Sequence, residues 1–404
     1  MLQCGRSVVK VERQIKEPPC ESRAQSAYGV TLGKQRRSRQ RGRLTPFGTT
    51  YRPCLRLAVL TLVTVTAACG SSLPEGLIVK FRAVCAELAR NLDTDESIAI
   101  RGLDDWLFFG PELRHVSVGA FWGTNASAAS RARRPDAMDP LPAILNFKQQ
   151  LDEAGVELLL VPVPPKSVIY PDKLSADLSI PMPAPRLDTA HQDFYTLLRE
   201  QGVEVLDLTE RFLEDRFHPD GPLYCRLDTH WSGTGCVVAA QEIATVVRQR
   251  DWFGELETGR YLSGWYATTI TGDLWRNFKA TNLPREELRL RGIAGSVGPG
   301  SGAITTDPES PIVLLGDSHA LVFHAGKDMH AVGAGLVDQI AFELGVPVEL
   351  FAVRGSGATP ARLNLMRRAQ GTDNYWEQKR LVIWSFAARE FTESDGWQTV
   401  PIGT

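Results

Sequence analysis

Cysteine is sparse in this chain. Seven occur in 404 residues, at positions 4, 20, 54, 69, 85, 225 and 236, and only Cys85, Cys225 and Cys236 follow Cys69. That excludes a disulfide scaffold and leaves room for one bridge in an oxidising compartment. Internal repeats are lacking too, which excludes solenoids and propellers. Positive charge is missing where a nucleic-acid binder needs it. The formal charge of −2 hides an asymmetry: residues 1–57 hold 13 of the 45 Lys/Arg but 3 of the 47 Asp/Glu. The remaining body carries 32 basic and 44 acidic side chains, and a net acidic body argues against a phosphate backbone as partner.

What is present is enough apolar material, 43%, for one large domain or two ordinary ones. The apolar run 57–69 (LAVLTLVTVTAAC), with Arg52 and Arg56 before it, has the pattern of an export signal. It is short of the roughly 20 residues that span a bilayer. Ala67-Ala68-Cys69-Gly70 resembles a lipoprotein cleavage site, with Thr66 where that motif usually has Leu. Cleaved signal, lipid anchor at Cys69 and uncleaved anchor remain as readings. Each places the acidic body beyond the inner membrane with the basic flank inside, as the positive-inside rule requires. The expected organisation is a basic, disordered extension over 1–56, a signal or anchor over 57–77, and one domain over 78–404.

From about residue 139 helical and strand patterns alternate. Ile144, Phe147, Leu151 and Ala154 mark a helix face ending at Gly155, before a buried strand over 156–161 that Pro162 stops. A helix over 188–201 feeds a strand over 203–206. Ser232 caps a helix reaching about residue 250. Strands follow over 311–315, 346–353 and 381–384, with a helix over 335–344 among them. The alternation predicts an α/β fold with a mostly parallel sheet covered by helices on both faces. Sites in such sheets lie at the C-terminal strand ends, which directs attention to the residues after Leu315, Leu227 and Val353.

After Leu315 stands Gly316-Asp317-Ser318-His319. A serine on a sharp turn after a buried strand can present its hydroxyl with backbone N–H groups nearby, but it needs a base. His319 is adjacent, and its side chain diverges from that of Ser318. After Leu227 stands Asp228-Thr229-His230-Trp231-Ser232, where Asp228 can fix the His230 tautomer. Cys225, Asp228, His230 and Cys236 fit no usual zinc spacing, so no metal is expected. An α/β-hydrolase order would need a histidine far downstream of Ser318, whereas His319, His324 and His330 all lie within a dozen positions. The base therefore comes from upstream. His115, His191 and His218 lack the Asp-x-His setting, and His191 reads as a surface residue of its helix.

Gly316-Asp317-Ser318-His319 resembles the nucleophile block of SGNH hydrolases, and the order with Asp-x-His ahead of Ser is similar to the AlgJ/AlgX group of alginate O-acetyltransferase proteins. Gly102 to Phe109, Val161-Pro162-Val163-Pro164-Pro165-Lys166 with Ile169-Tyr170-Pro171, Ala334-Gly335-Leu336 with Gln339-Ile340-Ala341, and Ile383-Trp384 with Arg389-Glu390 resemble further blocks of that group, in order, over roughly residues 98–395. Only 86 residues follow Ser318, so the chain is closer to the AlgJ-like form without a carbohydrate-binding module. The resemblance implies an SGNH hydrolase-like three-layer fold and a triad of Ser318, His230 and Asp228. It also implies acetyl transfer, without a cofactor, to hydroxyls of an exported, alginate-like polysaccharide in the periplasm. A membrane-embedded acyltransferase would supply the acetyl group, and other secretion proteins would be partners. No SGNH-style Gly-x-Asn block is evident; Gly355, in Arg354-Gly355-Ser356-Gly357, is the candidate oxyanion donor. Lys166 and Tyr170 either contact an anionic sugar or end their strand. Trp231 is the candidate sugar platform among nine tryptophans, Trp106 and Trp384 read as core, and Asp273 as loop support. The rival readings are a carbohydrate acetylesterase and a non-catalytic polysaccharide-binding member of a secretion complex.

Overall fold

A computed structural model describes residues 75–95, 98–278, 283–294 and 306–403. The expected basic extension, Cys69 and the export or anchor segment up to residue 74 lie outside the described residues. Among the described residues no helix is long and apolar enough to cross a membrane. Cys85, Cys225 and Cys236 are all buried and unbridged.

The centre is a five-stranded sheet of β1 (Glu157–Val163), β2 (Glu204–Val205), β3 (Ile312–Gly316), β4 (Glu349–Ala352) and β5 (Leu381–Ala387). Its order is β2-β1-β5-β3-β4, and every neighbouring pair is parallel. Around it run α1 (Glu75–Asp95), α2 (Pro140–Glu153), α3 (Thr189–Glu200), α4 (Gly233–Val247), α5 (Leu336–Leu344) and α6 (Thr359–Gln370). The strands are apolar on both faces because both are covered, as in other parallel sheets. Leu158, Leu160, Val313, Leu315, Val382 and Trp384 point to the layer of α2, α3 and α6. Leu159, Val161, Leu314 and Ile383 alternate to the opposite layer, with Ile243 of α4 and Ile340 of α5. Trp106 and Trp384 are both core residues.

The helix ends follow their capping chemistry. Asp139 accepts from the Leu141 N–H at 3.0 Å and starts α2, with Pro140 at the position that needs no N–H. Ser232 accepts from Gly235 N–H at 3.2 Å and starts α4. Gly345, at φ +70°, closes α5 in the left-handed conformation.

Three elements depart from expectation. Strand β1 passes through Pro162 instead of stopping there, and Pro162 pairs in register with Phe386. Leu160 bonds to the β2 side, where its carbonyl accepts from Leu206 N–H at 2.9 Å. Pro162, two residues on, faces that same side after β2 has ended, so its missing N–H costs no ladder bond. His191 is buried rather than on the surface: it stacks on Tyr195 and its Nε2 meets His115 Nε2 at 2.7 Å. The residues before Asp228 form no strand; they are held by a single bridge, Tyr224 to Trp231. The short pair Ala99–Arg101 with Leu107–Phe109, and the two-stranded ribbon Leu262–Ile270 with Glu286–Ala294, lie outside the central sheet and brace this segment.

Candidate active site

Strand β3 delivers Ser318 to the C-terminal end of the sheet. Gly316 is required at the exit, since a Cβ there would come within 2.6 Å of the Ser385 carbonyl. Asp317 then caps a single helical turn, Ser318–Leu321. Its Oδ1 accepts the His319 N–H at 2.8 Å and its Oδ2 accepts the Ala387 N–H at 2.8 Å. Both carboxylate oxygens are thereby fixed to backbone, which locks the turn that carries Ser318 between β3 and β5.

The Asp228–His230 segment lies against that turn. Trp231 Nε1–H donates to the His319 carbonyl at 3.0 Å, and the His230 and His319 rings approach to 4.8 Å. Asp228 Oδ1 faces His230 Nδ1 at 2.5 Å and accepts the His230 N–H at 3.1 Å. Asp228 Oδ2 accepts the Asp273 N–H at 2.8 Å. His230 Nε2 is buried and has no hydrogen-bond partner among the described residues.

The environments separate the two histidines. Burial opposes charge on His230, but the adjoining Asp228 carboxylate outweighs it and raises the imidazole above its ordinary 6.5. Burial pulls His319 down to about 4, only partly offset by Asp317 at 3.3 Å. Burial also opposes charge on Asp228, and its contacts to His230 and His330 reverse that, holding the carboxyl well below the usual range. An ionised Asp228 beside a basic His230 with a free Nε2 is suited to accept a proton, while His319 stays neutral.

The lesser candidates land elsewhere. Lys166 is buried and its Nζ donates to the carbonyls of Leu107, Arg226 and Asp228, at 2.6, 3.0 and 3.1 Å. It stitches the Asp228–His230 loop to the Leu107–Phe109 strand and does not reach a surface. Tyr170 is fully buried; its hydroxyl donates to the Arg216 carbonyl at 2.7 Å and accepts from Leu223 N–H at 2.9 Å. Trp231 is fully buried as well, so its ring offers no face to a sugar. These three sit beneath the site because each strand or loop end there needs its carbonyls covered. A Cβ added to Gly355, at φ +81°, would meet nothing within 4 Å, whereas one on Gly357 would meet the Asp317 nitrogen at 3.0 Å. The 354–357 loop thus reaches the Ser318 turn through Gly357.

Asp273 does more than support its loop. Its carboxylate accepts from Thr229 N–H at 2.8 Å and Thr229 Oγ1–H at 2.7 Å, and Gly272 packs so close to Leu227 that no side chain fits. Ligand-type atoms of Asp228, His230 and Asp273 lie within 4.8 Å of one another. Every carboxylate oxygen of the two acids is already engaged by a protein donor. Cys225 instead directs its thiol to the Trp231 carbonyl at 3.5 Å. Two residues were given no role by the sequence reading. Arg389, nine-tenths buried, lays its guanidinium 5.2 Å from the Phe109 ring centre and has no ion pair among the described residues. His330 contacts Asp228, and nothing in its spacing signals this.

Residues 99–388 match the family described as "SGNH hydrolase-like domain, acetyltransferase AlgX". Among curated proteins the chain is similar to probable alginate O-acetylases AlgJ. It is 24% identical to that of Pseudomonas syringae over 72% of this chain and 68% of the relative. It is 23% identical to that of Azotobacter vinelandii over 82% and 85%. With the Pseudomonas aeruginosa AlgJ, 26% identity extends over 37% of this chain and about a third (32%) of the relative. The fold resembles the O-acetyltransferase domain of Pseudomonas putida AlgJ, at TM-score 0.52 and 20% identity over 73% of this chain and 92% of that one. It also resembles Pseudomonas aeruginosa AlgX, at TM-score 0.51 and 16% identity over 72% and 61%.

Proposed function

The chain belongs to the AlgX family of SGNH hydrolase-like acetyltransferase domains, and on that premise we propose that it O-acetylates an exported, alginate-like polysaccharide through Ser318, His230 and Asp228. The observation that carries the triad is the pairing of a fixed His230 Nδ1 with a buried, unpartnered Nε2, in a segment tied to the Ser318 turn.

In the proposed reaction His230 Nε2 takes the Ser318 Oγ proton as Oγ attacks the acetyl carbonyl. The tetrahedral intermediate collapses, expels the donor's leaving group with the proton from His230, and leaves acetyl-Ser318. A sugar hydroxyl then attacks that ester while His230 takes its proton, and the proton returns to Ser318 Oγ as it departs. Asp228 stays ionised throughout, holding the imidazole tautomer and stabilising the transient imidazolium. Backbone N–H groups of Ser318 and of the 355–357 loop are the proposed oxyanion donors. The donor would be a membrane-embedded acyltransferase and the setting periplasmic, beside other secretion proteins.

The test is acetyl release from p-nitrophenyl acetate by the full chain, Ser318→Ala and His230→Ala, with and without a uronate oligosaccharide. Turnover lost in both variants, with acetylated sugar by mass spectrometry in the parent, is the expected result. Release without acetylated sugar would make the protein an acetylesterase, with water as acceptor. Unchanged turnover in Ser318→Ala would remove the triad.

A further inference from the structure

Asp228 carries a second imidazole. His330 Nε2 lies 2.9 Å from Asp228 Oδ2, on the side of the carboxylate away from His230. The contact is delivered by an unusual backbone. His330 has φ +73°, in the left-handed region that a residue with a side chain rarely adopts, and Phe323 and Lys327 nearby share it at +59° and +54°. Hydrogen bonds from Phe323 N–H to the Met329 carbonyl, Gly326 N–H to the Ala331 carbonyl and His330 N–H to the Lys327 carbonyl, at 2.8, 2.8 and 3.0 Å, hold the turn in that shape. The imidazole is more than nine-tenths buried and packs 5.9 Å from the Phe323 ring. A conformation that costs free energy persists where surrounding structure enforces it, and here it places one side chain against the acid of the triad.

We infer that His330 is a positioning residue: it holds the plane of the Asp228 carboxylate, and through it the His230 imidazole, in register with Ser318. The inference rests on the triad reading given above. Asp228 Oδ2 also accepts the Asp273 backbone N–H at 2.8 Å, so His330 is the second donor on that oxygen and, among the described residues, the one side chain that holds it from across the fold. His330 also draws charge from Asp228, which tempers how strongly Asp228 favours the protonated form of His230. The other polar and charged groups around the pair are the Asp273 carboxylate, Lys166 on the Asp228 carbonyl, Arg389, and the His319–Asp317 pair. On His330's own turn, Asp328 is paired with Arg354. All of these remain when His330 alone is replaced.

The experiment compares the full chain with His330→Gly, His330→Asn and His330→Gln, with Ser318→Ala alongside, by p-nitrophenyl acetate kinetics across pH and by thermal melting. Glycine and asparagine tolerate the left-handed backbone, so these variants remove the contact while favouring the fold. Expected is a roughly 10-fold fall in kcat with little change in KM, consistent with loss of a hydrogen bond to a charged group. The acid limb of kcat/KM should move to higher pH, because an Asp228 with one fewer donor binds the His230 proton more tightly. Glutamine, which can still donate, should recover most of the rate and return the limb. A parental kcat and limb in both His330→Gly and His330→Asn, with Ser318→Ala inactive, would overturn this inference alone. Turnover surviving in Ser318→Ala would overturn the triad and this inference with it.

Discussion

The indole N–H of Trp231 donates to the carbonyl of His319 at 3.0 Å. One hydrogen bond thus joins the residue after His230 to the residue after Ser318, and the tryptophan that resembled a sugar platform acts as a strut between the two halves of the proposed triad.

Replacing Trp231 with Phe keeps most of the buried ring and removes the donor. The His319 carbonyl is then left without its partner, at a cost of about 1–3 kcal/mol in stability. The larger effect is expected on rate: loss of register between Ser318 and His230 should lower kcat on the order of 10- to 100-fold. Steady-state kinetics beside a urea melt separates the two. A variant as active as the parent would show that the strut does not set the geometry.

The pH profile should distinguish the histidines. The proposed base, His230, must be neutral to act, and the Asp228 contact raises it above 6.5. The acid limb of kcat/KM is therefore expected above pH 6.5, with activity lost as pH falls through it. His319, at about 4, stays uncharged across that range, so His319→Gln should leave the limb in place. His230→Gln should cost on the order of 10³-fold or more in kcat.

Lys166 is proposed to hold the loop, since its Nζ is spent on three backbone carbonyls. Lys166→Met keeps a long unbranched side chain but removes the Nζ that lies 5.3 and 5.4 Å from the Trp106 and Phe108 ring centres, and leaves the carbonyls of Leu107, Arg226 and Asp228 without their shared donor. A loss of about 2–4 kcal/mol is expected, read as a lower urea midpoint with an unchanged slope. Equal midpoints, with a raised KM for an acidic oligosaccharide, would return Lys166 to a sugar-contact role.

The parallel sheet was legible because its strands are short apolar runs separated by helical periodicity and Gly stops. Ser232 and Gly155 marked helix boundaries through local capping chemistry that tertiary contacts did not override. Asp228 and His230 were legible because they are two residues apart and meet within one loop. His330 was not: its contact spans 102 positions and depends on a left-handed backbone that no residue type there announces. Lys166, Tyr170 and Trp231 misled for one reason. Their residue types suit a sugar surface, and only the packing shows that their polar atoms are directed inward at backbone carbonyls and N–H groups.

Glu390 offers a test of the ground beneath the site. It is buried beside Arg389, and burial raises its carboxyl from the ordinary 4.5 to about 8, with the nearby Asp317 adding to the effect. A carboxyl whose folded-state pKa lies above its unfolded value favours folding below the unfolded pKa. That contribution is lost as pH rises, because the unfolded chain releases a proton the folded one retains. The loss should begin near pH 4.5 and level off near pH 8. Glu390→Gln keeps the shape of the neutral acid and cannot ionise in either state. It is expected to match the parent near pH 4.5 and to be more stable by on the order of 2–4 kcal/mol at pH 8. Thermal melts of both proteins across that interval give the difference directly. Curves that stay parallel would mean that Glu390 is ionised in the folded protein and that the Arg389 charge, not burial, governs it.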